Sequence, residues 1–410
     1  MSARTGSDPV VRRPAEGPGA AVRVLPVEEV RDDARRLARW RDLERRAVEP
    51  NPFLAPPVLL PAARHLAPPP SLRLVVAERG DRMVFLLPVA DATPRALVPV
   101  PARTPLRRVH AAGLRTWLHP YCFLGTPLVD PEADPEAVWT EVLDALHGLR
   151  TAPWLELPTL SAGGPVAAAL RRACAGRPAR HTALGARGVV RRRPENTYLS
   201  EWVTSRNRAN LARRRRVLRR ELAGDVVTVE RGHRDVERFL RLEAAGWKGR
   251  RGTALLCREG DAAFFREVAS GCGAEGRFVL LSLEVGDRAV AQSTAITAGG
   301  GLFGFKRAYD EGLAAASPGA LLDADLLDWF HGRPDLRWID SSAEPGAADR
   351  GLFGDRQELG TTVVGLGPAG RAVPLLFGAV DGARDLRRRA AGRLSTLPGT
   401  VRRASPGSRP

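Results

Sequence analysis

The chain has 410 residues, 44% of them hydrophobic, and a pI near 11.1; this apolar content excludes wholesale disorder, and the length is enough for two domains with cores of their own. A formal charge of +17 points toward phosphates, anionic surfaces or polyanions, yet of 63 basic residues only Lys248 and Lys306 are lysine, a bias that beside 41 Gly and 34 Pro reads as GC-rich coding. Cys122, Cys174, Cys257 and Cys272 form no C-x-x-C pair and no apolar run is long enough to span a bilayer, which argues against a disulfide framework, a zinc cluster or a membrane anchor and for a cytoplasmic protein.

In chain order, residues 1–20 read as a disordered N-terminus. A helical stretch "RRLARWRDLERRAVEP" (35–50) follows, then "LRLVVAERGDRMVFLLPVA" (72–90), two alternating apolar runs about a Gly-Asp turn, which predict a β-hairpin. A second helix, "PEAVWTEVLDALHGL" (135–149), leads to a short strand opened by tryptophan, "WLELP" (154–158). The same order recurs downstream: helix "DVERFLRLEAAGWKGR" (235–250), hairpin "FVLLSLEVGDRAVAQSTAI" (278–296), helix "PGALLDADLLDWFHG" (318–332), strand "WIDSS" (338–342). Glu78, Gly80, Asp81, Arg82 and Val84 match Glu284, Gly286, Asp287, Arg288 and Val290 across the two hairpins. Two copies of one α/β (α+β) unit are expected, residues 21–190 and 196–366, with the boundary in "LGARGVVRRRPENTYL" (184–199) and a basic C-terminal tail at 367–410. Hairpin-built sheets without βαβ alternation exclude Rossmann and TIM topologies.

The stretch "SRNRANLARRRRVLRRELAG" (205–224) concentrates arginine on a predicted amphipathic helix whose apolar stripe is Trp202, Leu211, Leu218 and Leu222. No aromatic residues are interleaved with these arginines to stack bases, and no zinc-finger, KH or RRM signature occurs, so nucleic-acid binding is not favoured. In "LFGFKRAYDEGLAAASPGALLDADLLDWF" (302–330) a strand runs through a small-residue loop into a helix start, where Ser317 suits an N-cap, Pro318 the first turn and Gly319 a close backbone approach. Such a helix N-terminus is suited to an anion such as a pyrophosphate. The seven histidines show no metal-ligand spacing and no P-loop occurs, so no metal and no ATP chemistry is expected.

Together, "RNRANLARRRRVLRRELAGDVVTVE", "LEAAGWKGRRGTALL", "GDRAVAQSTAI", "FGFKRAYDEGLAAASPGALL" and "WIDSSAEP" resemble the C-terminal unit of the CelD-like acetyltransferases of the GNAT superfamily, a group associated with cellulose and other polysaccharide biosynthesis. The order of segments is also similar to that of Fem-type transferases, in which two GNAT-like units sit in tandem. The fold class implied is two tandem GNAT-like units, each a mixed, mostly antiparallel sheet flanked by helices, the N-terminal one degenerate. Family members often carry Cys where this chain has Ser342, so a thiol role there is excluded.

The resemblance implies acyl transfer from acetyl-CoA or another acyl-CoA to an amine or hydroxyl of a small molecule or glycan. It places the thioester along Gln292, Ser293 and the strand that follows to Ile296, the pyrophosphate at Ser317, Pro318 and Gly319, and contacts to the donor at Lys306 and Arg307. Asp310 and Asp340 are the candidate bases, Tyr309 the candidate acid toward the leaving thiolate, and Lys248 a group that contacts phosphate or orients an acid. Each has a structural alternative: a turn cap for Asp340, a core position for Tyr309, and for Asp310 an ion pair with Arg307. The two lysines are singled out because a chain that writes nearly every cation as arginine keeps a compact ammonium there. Trp117, His119 and Tyr121 are expected to line a cleft between the units. An aminoacyl-tRNA-dependent Fem-like transferase and a non-catalytic binder of nucleic acid or anionic glycan stay open as alternatives.

Overall fold

A computed structural model describes residues 19–92, 113–149, 152–193, 197–346, 352–372 and 378. In chain order they form β1 (Ala21–Pro26), α1 (Val27–Asp32), α2 (Ala34–Arg46), α3 (Pro56–His65), β2 (Arg73–Arg79), β3 (Arg82–Ala92), β4 (Gly113–Thr116), β5 (Leu128–Val129), α4 (Pro135–Gly148), β6 (Trp154–Ser161), α5 (Pro165–Ala173) and β7 (Ala179–Arg191). The chain continues through α6 (Tyr198–Trp202), α7 (Ser205–Glu221), β8 (Val226–Arg231), α8 (Val236–Ala245), α9 (Trp247–Arg250), α10 (Glu259–Ala274), β9 (Phe278–Val285), β10 (Arg288–Ala298), β11 (Gly301–Tyr309), α11 (Pro318–His331), β12 (Trp338–Asp340) and β13 (Asp355–Gly365). The expected disorder of residues 1–18 and most of the expected basic tail lie outside the described residues.

All thirteen strands join one sheet in the order β1-β2-β3-β4-β6-β13-β7-β12-β11-β10-β9-β8, with β5 beside β3. The fold is mixed α/β: the ladders are antiparallel except β4 with β6 and β11 with β12, and helices cover both faces. β9 is therefore buried at every one of its positions, as a strand covered on both faces must be. Both predicted hairpins form. Their two-residue Gly-Asp turns put Gly80 at φ +56° and Gly286 at φ +57°, the left-handed value that a primed turn demands of its first residue.

The strand order β1-β2-β3-β4-β6 reappears as β8-β9-β10-β11-β12, and so does a packing detail. A Cβ on Gly113, which opens β4, would lie 2.0 Å from the Trp154 ring, and one on Gly301, which opens β11, 2.5 Å from Trp338. Each tryptophan thus needs a glycine across the parallel pair. The seam is an exchange: β7 pairs with β12, β13 pairs with β6, and the two pair with each other. Residues 184–191, read in the sequence as an interruption, belong to β7, because Val189 and Val190 are buried in this seam and Gly185 takes φ +110° beside a register shift.

Three cores result. One lies under the N-terminal strands around Trp139 and one between the C-terminal strands and α11. The third joins the halves, packing Phe53 and Tyr121 against Phe264, Phe265, Phe303 and Phe305. Ion pairs cross the same boundary: Arg277 to Glu44 at 2.6 Å and His65 to Glu267 at 2.7 Å. Among the described residues no helix is long and apolar enough to cross a membrane.

Candidate active site

The site begins with a strand that loses its partner. β11 pairs with β12 only over Gly301–Phe303 and Trp338–Asp340, then diverges from it. On its other side β11 follows β10 through a bulge: Thr294 faces Lys306 but Ala295 faces Gly304, so Phe305 is the extra residue. Thr294 holds the bulge with its hydroxyl, which accepts from Lys306 N at 3.1 Å and donates to Lys306 O at 3.2 Å. Asp310 N bonds Val290 O in β10. With even-numbered backbone groups turned to β10, those of Arg307 face the open edge, and its carbonyl there accepts from Lys248 Nζ at 2.7 Å.

Three cavities surround this edge. The first, about 380 Å³, lies at the start of α11 and is walled by Ser317, Pro318 and Gly319, with Asn207, Asn210 and Arg214 of α7 opposite. The second, about 310 Å³, is lined by Glu243, Lys248, Gln292 and Arg307, and shares Tyr309 and Gly319 with the first. The third, about 190 Å³, lies between β11, β12 and α11; it holds Ser293, Lys306, Asp340 and Ser342 and shares Arg307 with the second. The second cavity thus adjoins both others, through Tyr309 and Gly319 on one side and Arg307 on the other.

Both lysines converge on one buried carboxylate. Glu243 Oε1 takes Lys248 Nζ at 2.9 Å and Lys306 Nζ at 3.3 Å, and Oε2 accepts Leu255 N at 2.8 Å. Lys306 also lies 4.8 Å over the Tyr121 ring, a cation–π contact contributed by the N-terminal half. Burial holds the Lys306 ammonium below the usual lysine range, against the Glu243 charge that raises it, with Lys248 lowering it further. Sequence reasoning missed Glu243. The retained lysines carried the signal, since two ammonium groups need a common anion when they are brought together partly out of water.

The carboxylates expected as bases are otherwise engaged. Asp340 is fully buried in an ion pair with Arg187 and accepts Ser342 N at 2.8 Å, so it fixes the seam and offers no free oxygen to a substrate. Asp310 accepts Gly312 N at 2.9 Å and pairs with Arg288 at 2.5 Å, away from the cavities; its expected partner Arg307 instead binds Asp323 at 2.6 Å and 2.8 Å. The thioester strand also moves: β10 is hydrogen-bonded on both sides from Ala291 to Ile296, so the open backbone belongs to β11 and not to Gln292–Ile296. Ser293 packs in the third cavity, and Gln292 lines the second with its Nε2 bonded to Ser282 Oγ at 3.2 Å. Ser317 stands at the N-cap position but in the left-handed region, φ +47°, and makes no side-chain cap. Its carbonyl takes Ala320 N instead, and Pro318 has no N–H.

The arginines of the stretch all lie on α7, but the stripe residue Trp202 does not. The chain breaks at Val203, Thr204 caps α7 by accepting Asn207 N at 3.2 Å, and Trp202 lies outside the helix and exposed, not on its apolar stripe. Arg208 binds carbonyls of α6, and Arg215 pairs with Asp325, which leaves Arg214 to face the first cavity. The expected cleft aromatics are core. Tyr121 stacks on Phe264 at 5.3 Å, Trp117 packs beside the same cluster, and burial pushes His119 down to about 3.

Comparison with known proteins bears on the fold. Residues 205–348 match the family model of an acetyltransferase (GNAT) domain. No curated protein matches the chain. Among solved structures, FemX covers 80% of this chain and 95% of its own at 8% identity and a TM-score of 0.55. The C-terminal domain of a putative lysylphosphatidylglycerol synthetase from Agrobacterium fabrum covers 84% and 95% at 12% identity and 0.50. A tandem GNAT protein from the clavulanic acid biosynthesis pathway covers 85% and 99% at 16% identity and 0.40. At these identities the likeness is one of fold, and the chain thus shares the fold of FemX and the synthetase domain while its residues 205–348 match the model of an acetyltransferase (GNAT) domain.

Proposed function

We propose that the protein transfers an acyl group from coenzyme A to an amine or hydroxyl of a small molecule or glycan, with the reaction centred on the open edge of β11. The observation that carries this reading is the continuity of the cavities: the α11 start and the β11 edge share Tyr309 and Gly319. The donor's pyrophosphate would meet the helix N-terminus at Ser317, Pro318 and Gly319 and the guanidinium of Arg214. Its thioester carbonyl would lie on the Arg307 N–H, which supports negative charge on that oxygen as the acceptor attacks. The acceptor oxygen or nitrogen bonds to the carbonyl carbon, the C–S bond breaks, and the acceptor's proton ends on the coenzyme thiol, with Tyr309 placed to hand a proton to sulfur. Lys248, held with Lys306 by Glu243, sets the charge of the second cavity, where the acceptor would sit. The N-terminal half serves as a copy without a donor site, and polysaccharide or cell-envelope synthesis is the setting the motifs suggest.

The test is calorimetric titration with acetyl-CoA and longer acyl-CoAs at two salt concentrations. Binding that tolerates salt and is lost in Gly319→Glu supports the assignment; no binding of any acyl-CoA or of coenzyme A sinks it. A second reading, an aminoacyl-tRNA donor, is favoured by the exposed Arg206, Arg216 and Arg220 on α7. A phosphate-tracking surface of about six contacts would lose on the order of a thousandfold in tRNA affinity between 50 and 200 mM salt.

A further inference from the structure

The third cavity has no task in the transfer described so far, and its walls differ from those of the other two. Val279 and Leu281 of β9, Ala295 of β10, Leu302 of β11, Leu326 of α11 and Phe353, all buried, form an apolar part of its wall, beside the Arg307–Asp323 and Arg187–Asp340 ion pairs. Protein interiors close such gaps to crystal-like density unless something holds them open. Here the divergence of β11 from β12 after Phe303 does so, with Gly304 on the divergent stretch: a Cβ there would stand 2.9 Å from Ser341 O. The cavity shares Arg307 with the second cavity, the residue on whose N–H the proposed thioester lies. A second observation at the same place is an unsatisfied group. Ser342 lines the cavity, is 8% exposed, and its Oγ has no hydrogen-bond partner. A buried hydroxyl without a partner is uncommon and marks a place where a polar atom is missing.

We infer that this cavity receives the acyl chain of the donor, so that the preferred thioester is a medium-length acyl group of about six carbons and not acetyl. The inference rests on the proposed acyl-CoA reading. The size follows from volume: an apolar cavity of about 150 Å³ accommodates a six-carbon ring, and this one, part apolar and part polar in its lining, is about 190 Å³. Acetyl would leave most of the apolar wall uncovered. A chain of about six carbons fills it, and the Ser342 hydroxyl in the same wall would donate a second hydrogen bond to the thioester carbonyl held by the Arg307 N–H.

Calorimetry on the full chain with coenzyme A and its acetyl, butyryl, hexanoyl, octanoyl and decanoyl thioesters tests this. Dissociation constants should fall about fourfold per added methylene up to hexanoyl and then stop falling or rise. Equal affinities from acetyl to decanoyl overturn the inference while leaving the acyl-CoA reading intact, as does tightening that continues unchanged through decanoyl. Failure of coenzyme A and all its thioesters to bind removes both together. Ala295→Leu, which fills the cavity, should bring the hexanoyl affinity down to the acetyl level. Should that variant not fold, Leu326→Ala enlarges the space from the helix side and should move the optimum to a longer chain; no movement counts against the inference.

Discussion

The two halves are built on one plan and differ in what becomes of the splayed strand. In the C-terminal half β11 keeps nine residues, pairs with β12 for three, and leaves an open edge. In the N-terminal half β4 is four residues long, and the chain that follows, "WLHPYCFLGTP", fills the place of the opening. Gly125 N bonds Thr159 O of β6, and Asn51, fully buried, holds the plug through Leu124 O at 2.9 Å and Thr126 O at 2.7 Å. Where the C-terminal half has cavities, this one has Tyr121 and His119 packed under α10. The fold supplies a gap wherever two parallel strands part, and whether that gap becomes a site depends on what the next dozen residues do with it.

Breaking the lysine cluster should have the largest effect, because its N-terminal counterpart has nothing to lose. Glu243→Ala leaves two partly buried ammonium groups facing each other and should cost about 1–3 kcal/mol in urea unfolding. Glu243→Gln should keep the fold better but lose transfer, since neither lysine is then held. Next come the paired glycines. Gly113→Val and Gly301→Val each force a side chain into a tryptophan and should each cost roughly 1–3 kcal/mol, but Gly301→Val alone should abolish acyl-CoA binding. Equal effects of both on binding would mean that the halves are not divided as site and support.

Acid titration separates the halves in another way. His119 is neutral in the fold, pushed down to about 3 by burial, while in the unfolded chain it takes its proton near 6.5. The unfolded state therefore binds more protons below pH 6.5, and the plug loses about 1.4 kcal/mol of stability per pH unit down to about pH 3. Unfolding measured from pH 7 to 4 should flatten in His119→Gln. The smallest expected effect is at the donor's charged end: Arg214→Ala should weaken acyl-CoA binding about threefold to tenfold with no change in unfolding, as measured by calorimetry.

Much of this architecture was legible because it is local. Turn chemistry gave both hairpins, the switch from alternating to helical periodicity gave α4 and α11, and the tryptophans at 154 and 338 marked the parallel strands. The exchange of β7 and β13 was not legible, since a period of two says which face of a strand is buried and never which strand lies beside it. Asp310 and Asp340 look like bases in sequence because both end strands, but only tertiary structure shows that Arg288 and Arg187 already hold them. Glu243 was hidden for the opposite reason: an acid between Leu242 and Ala244 on an amphipathic helix reads as solvent-facing, and its burial depends on a lysine far along the chain in β11.

The exchanged strands carry a consequence for how the molecule is made. β6 is synthesised long before β13, yet β13 is the neighbour that covers its edge. During translation the first half therefore waits with an uncovered strand, an invitation to pairing with other chains. Contacts so distant in sequence also close slowly. Acquisition of the fold is thus a single event that completes when β13 docks, and fragments cut at residue 193 or at 354 should be sticky and incomplete, whichever half they contain.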